Sequence, residues 1–363
     1  MSLSQINKKL ITIIVIVLAV FIVAIIAISI INKNRNLEFS TIERKMEAGA
    51  KKYLKNNPEL LPSENGETIA ISVTTLEDGK YIPTMSKMVK EDIICNGEVR
   101  VTNNGGYYVY FPYLNCGDKY VTKELYKKII DPSNIVTEDD GLYEINGEYI
   151  FRGSKVNNYL EFADQLWYIV KVDKDNHIKI VQIDNKTRHI WDYRYNVDRN
   201  AKVGVNDFNK SSMESYLLEL FNDEKFIEED LKGLIVHKPW CVGKRTDSET
   251  NKTGEVECSV VTEPAPLGLI QANDFLMASL DENCTTTLSP SCQNYNYLAS
   301  SDYTWWTITA AADNTHRAYK VSGGYLMQSS LTSNTRTHVA LFLSENVAYA
   351  GGTGTYDDPY IVR

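Results

Sequence analysis

The chain has 363 residues, of which 43% are hydrophobic, and a formal net charge of −9 at pH 7. The first 36 residues contain four lysine and arginine side chains and no acid, so the remainder carries a formal charge of −13. This acidic balance argues against nucleic acid or anionic lipid headgroups as partners, because both repel a negatively charged surface.

An apolar run at 10–31, interrupted only by Thr12 and Ser29, predicts a transmembrane helix. At 1.5 Å per residue it reaches about 33 Å, enough for the hydrocarbon core of a bilayer. A cleaved secretory signal is the alternative, since Ala27-Ile28-Ser29 has small-x-small spacing, but the run is longer than such signals. A buried core helix is disfavoured because the run is apolar on every face. We expect an uncleaved anchor with residues 1–9 in the cytoplasm.

Six cysteines follow this span in three sequential pairs, a pattern that predicts structural disulfides and an oxidising exterior. Six cysteines allow fifteen pairings. Zinc binding is the alternative, but no Cys-x-x-Cys occurs and only His237 lies within four residues of a cysteine. Because the charges flanking the span are nearly balanced, the cysteines decide the orientation, with the bulk of the chain outside the cell. The six are Cys95, Cys116, Cys241, Cys258, Cys284 and Cys292.

Apolar residues at helical spacing from Leu37 to Leu54 predict an amphipathic helix that continues the span until Asn57-Pro58. A second, short helix is expected to start at Thr74, where Glu77 gives capping-box spacing, and to end at Gly79.

A hairpin is predicted next, because residues 98–102 and 107–113 flank Asn103-Asn104-Gly105-Gly106. A disulfide between Cys95 and Cys116 would close its base. A long helix, a small sheet and one disulfide over 32–130 resemble the globular part of type IV pilin-like proteins, which implies a stalk domain. Residues 9–13 lack the glycine and the acid of a prepilin-peptidase site.

A polar linker is predicted at 131–140, and it leads to a domain at 141–363 that is predicted to be β-rich. The predicted fold class is α+β: a transmembrane helix continues into a pilin-like helix with an antiparallel hairpin or sheet, and a larger β-rich α+β domain follows. Predicted helices lie at 212–222, 225–231 and 274–280, the last capped by Asn273. Predicted strands lie at 149–151, 159–162, 167–172, 178–183, 267–270, 305–309, 318–321, 325–328, 339–343 and 360–362.

Four motifs in this domain carry a second resemblance: NNYLEF at 157–162, LWYIV at 166–170, WTIT at 306–309 and GGTGTYDDPY at 351–360. In this order they resemble an uncharacterised family of membrane-anchored surface proteins of low-GC Gram-positive bacteria. The resemblance implies surface display and brings no activity.

Adjacent tryptophans in the predicted strand at 305–309 should point to opposite faces, so that at most one lies fully in the core. The other would offer a stacking platform for a sugar ring or an aromatic ligand, ringed by polar groups. The alternative is that both rings are packing and the polar loop is solvated. The candidate ligand-binding residues are Tyr303, Trp305, Trp306, Asp313, Asn314, Arg317, Arg336 and His338.

No catalytic constellation is evident. His237 beside Cys241, and His316 and His338 near serines, match no hydrolase signature. The glycine-rich segment from Gly351 to Thr355 is predicted to form a tight turn. A phosphate-binding loop is the alternative, but such a loop requires a following helix and none is predicted. We expect no cofactor and no metal, since the adjacent Asp357 and Asp358 make a weak calcium site.

The sequence therefore predicts a non-catalytic, single-pass, extracellular surface protein that binds or displays glycan or protein. Its expected partners are the membrane and cell-wall glycan or a surface protein, with no nucleic acid. Alternatives are a pilin-like structural subunit or filament accessory protein, and a cell-wall-active enzyme.

Overall fold

Most of the regular structure is β-sheet with a few short helices, so the chain is an α+β protein. The computed structural model describes residues 39–89, 93–299 and 304–362. No helix within these ranges is both long and apolar enough to span a bilayer. The predicted transmembrane helix at 10–31 and the segment at 1–9 lie outside the described residues.

The chain divides into two compact units. Of the described residues, the smaller unit contains those up to Leu61 together with 70–99 and 112–122. The larger unit contains 62–69, 100–111 and everything from Lys123 onward. Parts of the predicted stalk therefore group with the larger unit.

Helix α1, residues 39–56, belongs to the smaller unit. Pro58 follows it and opens a 3₁₀ turn at Pro58–Leu60, because proline cannot continue the helical hydrogen bonding. The predicted amphipathic helix is confirmed over its described residues. Its buried side chains recur every three or four positions, which places them on one face: Phe39, Ile42, Met46, Ala50 and Leu54.

Two short helices of the smaller unit are α2, Val73–Asp78, and α3, Met85–Met88. The Ser72 hydroxyl accepts a hydrogen bond from the Thr75 backbone N–H at 3.0 Å and caps α2. The predicted start at Thr74 is therefore too late, because the serine cap lies two residues earlier. Gly79 ends the helix as predicted.

A three-stranded sheet contains the predicted hairpin. Gly105 and Gly106 form its turn with φ of +65° and +93°, a left-handed pair that glycine adopts without a Cβ clash. Cys95 and Cys116 flank the hairpin and are joined by a disulfide, which confirms the expected closure of its base. The strands, in sheet order, are β1 Thr68–Ser72, β2 Asn96–Asn104 and β3 Tyr107–Asn115.

The remaining strands all belong to the larger unit. They are β4 Gly141–Ile145, β5 Glu148–Arg152, β6 Tyr159–Phe162, β7 Gln165–Val172, β8 Ile178–Gln182, β9 Arg188–His189, β10 Leu267–Gly268, β11 Trp305–Ala310, β12 Arg317–Ser322, β13 Tyr325–Ser330, β14 Thr335–Arg336, β15 Ala340–Leu343, β16 Tyr349–Gly351 and β17 Tyr360–Val362.

These strands form two sheets. Seven strands of the nine-stranded sheet follow the order β10-β15-β8-β7-β6-β17-β16. The other two are β5, which pairs with β7, and β4, which pairs with β5. The pairs in this sheet are antiparallel except that of β17 with β6. The five-stranded sheet runs β13-β12-β11-β14-β9. There β11 and β14 are parallel, with Trp305 opposite Arg336.

The larger unit also carries four α-helices: α4 Leu125–Ile129, α5 Ser212–Asn222, α6 Glu229–Lys232 and α7 Ala272–Ala278. Helix α5 has the predicted bounds. Helix α7 is capped by Gln271, which forms a capping box with Asp274. The predicted cap, Asn273, is wrong because this residue already lies inside the first turn. Further 3₁₀ turns in the chain lie at Gly117–Lys119, Pro132–Asn134, Glu257–Ser259 and Pro290–Gln293.

Four fully buried tryptophans stabilise the core of the larger unit. Each indole N–H donates to a backbone carbonyl at 2.9 to 3.1 Å, so burial leaves none of these polar groups unpaired. The donors are Trp167, Trp191, Trp240 and Trp306, and the acceptors are the carbonyls of Phe162, Thr307, Ala265 and His189.

Two more disulfides lie in the larger unit, Cys241–Cys258 and Cys284–Cys292. With Cys95–Cys116 they use all six cysteines in sequential pairs. The chain is therefore a disulfide-bearing protein, as its cysteine spacing predicts.

Candidate functional site

Trp305 and Trp306 do not form the predicted surface platform. Their side chains are 3% and 0% exposed. The expectation that one of them faces solvent is therefore wrong, because both faces of β11 are covered. Trp306 donates its indole N–H to the His189 carbonyl at 3.0 Å, which is the bonding of a core residue.

His338 and Arg336 lie beside Trp305. The His338 imidazole stacks on Trp305 with ring centroids 5.0 Å apart and planes 9° apart. Burial lowers the pKa of His338 to about 4, so the ring is neutral at pH 7. Arg336 extends to Asp184, with the guanidinium and carboxylate 3.5 Å apart. These residues lie on or next to β11 and β14, two inner strands of the five-stranded sheet, and they are packed there and not open to solvent as a binding surface.

The predicted polar loop lies at the other end of β11. Asp313 is exposed and accepts a hydrogen bond from Gln328 at 2.9 Å. The Asn314 carbonyl accepts from the Asn206 side chain. Arg317 begins β12 and is exposed. The structure therefore separates this loop from Trp305, Arg336 and His338. Tyr303 lies outside the described residues.

A different pocket, of about 650 Å³, opens in the larger unit. Its walls come from β5, β7, β8, the start of α7 and the loops around the Cys241–Cys258 disulfide. Charged and amide side chains line it together with apolar ones such as Trp240 and Phe342, and the lining includes the fully buried Lys179. We call it the Lys179 pocket.

Lys179 is fully buried, yet its ammonium is well satisfied. Its Nζ donates to Asp274 at 2.5 Å and also contacts the Gln271 side-chain oxygen. It lies 5.6 Å and 5.7 Å from the ring centroids of Trp240 and Phe342, within cation–π range. The capping box of α7 positions both acceptors, because its Gln271 and Asp274 lie at the first turn, opposite β8.

Desolvation controls the electrostatics of this lysine. Burial lowers the pKa of Lys179, the Asp274 carboxylate opposes that shift, and the neighbouring Lys171 ammonium adds to it. Lys171 itself pairs with Glu148 at 2.8 Å. Burial lowers the pKa of Lys171 as well, but the charges of Asp274 and Glu148 outweigh burial and raise it. Two adjacent ion pairs thus line one wall.

A third ion pair in the lining joins Lys238 to Asp173 at 2.5 Å. Burial alone would raise the pKa of Asp173, but hydrogen bonds from His177 and Lys238 outweigh it and lower that pKa. Burial also lowers the pKa of His177, but its bonds to Asp173 and Glu345 raise it to about 9.

Asp173, Asp175 and His177 come within 4.8 Å of one another through their ligand atoms. The Lys238 ammonium already lies 2.5 Å from Asp173 and 3.7 Å from Asp175. His177 is protonated at pH 7 and cannot donate a lone pair. This cluster is therefore built around a lysine and does not suit a metal ion.

Two lining groups of the Lys179 pocket lack the partners that the others have. Lys252 is partly buried and donates to the Cys284 carbonyl at 2.7 Å, with no carboxylate partner among the described residues. Burial lowers its pKa, and the charge of Arg152 lowers it further. Asn273 is 7% exposed, and its side-chain oxygen has no hydrogen-bond partner within the described structure.

Cys241 cannot act as a catalytic nucleophile, because it is bonded to Cys258 and has no free thiolate. Sequence reasoning missed the Lys179 pocket. One signal was present: Lys179 lies between Ile178 and Ile180 and interrupts the apolar run of the strand Ile178–Gln182. A charge inside a buried strand requires a counter-charge elsewhere in the fold.

Comparisons with protein-family models, with curated proteins and with solved structures give no match to this chain.

Proposed function

We propose that this chain is a non-catalytic surface protein, anchored in a membrane by its amino-terminal apolar segment, that binds cell-envelope glycan in the Lys179 pocket. The observation that carries the proposal is the pocket lining itself. Its hydrogen-bonding groups are held in place by the Lys179–Asp274 and Lys171–Glu148 ion pairs. Polar recognition requires such pre-positioned groups, because a flexible site loses conformational entropy when it binds.

The size and chemistry of the pocket favour a hydroxyl-rich ligand. A volume of about 650 Å³ lies within the usual range for small-molecule sites. The Lys252 ammonium and the Asn273 side-chain oxygen have unused hydrogen-bonding capacity in the described structure, which a hydroxyl-rich ligand can satisfy and an apolar ligand cannot. This pocket replaces the Trp305 surface in the proposal, because the Trp305 ring is buried.

An extracellular location is part of the same proposal. Three disulfides support it, because disulfides persist in oxidising compartments. The resemblance to membrane-anchored surface proteins of low-GC Gram-positive bacteria points the same way.

The test is binding of the full-length chain, in detergent, to purified Gram-positive cell walls. Lys174 is an exposed residue of the pocket lining, so Lys174→Trp should obstruct the entrance without disturbing the core. Lys202→Trp is the matched control, since Lys202 is exposed and does not line the pocket. Loss of sedimentation with the walls in Lys174→Trp alone supports the proposal. Equal binding by both variants and the parent contradicts it.

A pilin-like structural subunit is the second candidate, favoured by α1. This helix belongs to the same unit as parts of a three-stranded sheet and the Cys95–Cys116 disulfide. Removal of the first residues by a prepilin peptidase would support this role, and an intact amino terminus in the mature membrane protein would count against it.

A further inference from the structure

The charges in the Lys179 pocket do not cancel. Three lysines of the lining pair with three acids, as described above. The charged groups that remain are Lys252, Lys174 and Glu255, and only Lys252 is partly buried. Within the described part of the chain, Lys252 is thus a positive group inside this pocket without a counter-charge, although the chain as a whole has a formal net charge of −9.

Lys252 has donors to spare. An ammonium carries three N–H groups, and the Cys284 carbonyl accepts one of them at 2.7 Å. The nearby Arg152 adds a second positive charge to this region. Its guanidinium, like the Lys252 ammonium, donates to backbone carbonyls, those of Met277 and Ser279, both at 2.9 Å. An anionic ligand group would supply the counter-charge that Lys252 lacks among the described residues.

Asn273 is the second, independent observation. More than nine-tenths of this residue is buried, it lines the pocket, and its side-chain oxygen has no hydrogen-bond partner in the described structure. An unpaired buried carboxamide oxygen destabilises the folded state, because it has given up its hydrogen bonds to water. A ligand that donates a hydroxyl or amide N–H to it would remove that destabilisation. The backbone of Gly254 packs closely against the Asn273 side chain, since a Cβ at position 254 would lie only 3.0 Å from the Asn273 amide nitrogen.

From these two groups, and resting on the proposed function, we infer that the ligand is an acidic saccharide, whose carboxylate pairs with Lys252 and whose hydroxyl donates to Asn273. A carboxylate fits better than a phosphate. Lys252 is the partly buried, unpaired cation of the described lining, and Arg152 does not line the pocket, so one negative charge balances it. A phosphate monoester dianion would face the paired acids Glu148 and Asp274 with a surplus of negative charge.

The experiment is a glycan array carrying neutral, carboxylated and phosphorylated versions of the same saccharides, probed with the full-length chain in detergent. We expect carboxylated members to bind about tenfold or more tightly than their neutral counterparts, the size of one charge-assisted hydrogen bond. Lys252→Met should abolish that preference, Lys252→Arg should keep it, and Lys202→Met is the control for surface charge.

The outcomes separate the two claims. Equal binding of neutral and carboxylated members overturns the acidic ligand but leaves glycan binding intact. A preference for carboxylates that survives Lys252→Met overturns the assignment of Lys252 as the group that pairs with the carboxylate. A preference for phosphorylated members overturns the carboxylate assignment. Absence of binding to every saccharide overturns the proposed function together with this inference.

Discussion

Lys179 and Asp274 are 95 positions apart in the chain and form an ion pair of 2.5 Å in which both side chains are withdrawn from solvent. Such a pair is costly to break, because the remaining charge cannot regain water. It joins β8 to α7, and both of its residues line the Lys179 pocket.

Asp274→Asn should therefore destabilise the protein by about 3–5 kcal/mol, the usual cost of leaving a buried charge unpaired. The new amide can still accept from the Gln271 N–H, so the helix cap is kept. Urea unfolding measures the change. The double variant Lys179→Met with Asp274→Asn should be more stable than Asp274→Asn alone. If the changes in unfolding free energy of Lys179→Met and Asp274→Asn simply add in the double variant, the two residues are not energetically coupled.

Gly105 and Gly106 offer a matched comparison in the hairpin turn. Both have positive φ, but a Cβ on Gly105 would overlap the His237 ring, whereas one on Gly106 meets nothing within 4 Å. Gly106→Ala should cost about 1 kcal/mol, the conformational penalty alone. Gly105→Ala should cost clearly more, because the imidazole must also move. Equal midpoints in thermal unfolding would contradict the close contact with His237.

His177 makes stability depend on pH in the alkaline range. Its pKa is about 9 in the folded protein and about 6.5 when unfolded. The folded state therefore holds the proton more tightly. The resulting contribution, about 3 kcal/mol, is complete below about pH 6.5 and is lost as the pH rises through about 9.

Urea unfolding of the parent and of His177→Gln, across that range, tests this assignment. The difference in unfolding free energy between them should shrink as the pH rises. A difference that stays constant from about pH 6 to about pH 10 would mean that His177 does not hold an extra proton.

Trp305→Ala and Trp306→Ala should act on stability and leave binding alone. Both side chains are buried, so each truncation should cost about 3–5 kcal/mol. Variants that still fold should sediment with cell walls as the parent does. Loss of binding at unchanged stability would return the ligand site to these tryptophans.

Local patterns predicted much of the secondary structure. The bounds of α5 follow from apolar residues at helical spacing after the capping Ser211, whose hydroxyl accepts from the Glu214 N–H at 3.0 Å. The hairpin follows from Gly105 and Gly106. Such signals lie within a few residues of the structure they determine, so they can be read without knowing the fold.

The Lys179 pocket could not be predicted in this way. Its lining joins β5, β7, β8 and α7, and only the tertiary fold brings these elements together. The burial of Trp305 was missed for a related reason. Alternation along a strand tells which residues share a face, but not whether a second layer covers the other face. The two-residue strands β9 and β14 are too short to carry any pattern.

The interleaved boundaries of the two units have a practical consequence for anyone who wants to study them separately. The polypeptide passes from one unit to the other five times before Lys123. A recombinant fragment starting at Gly141 would lack the hairpin tip at 100–111 and the buried Leu125 and Ile129 of α4. No single cut yields either unit whole, so the two must be made, and exchanged with other proteins, as one inseparable piece.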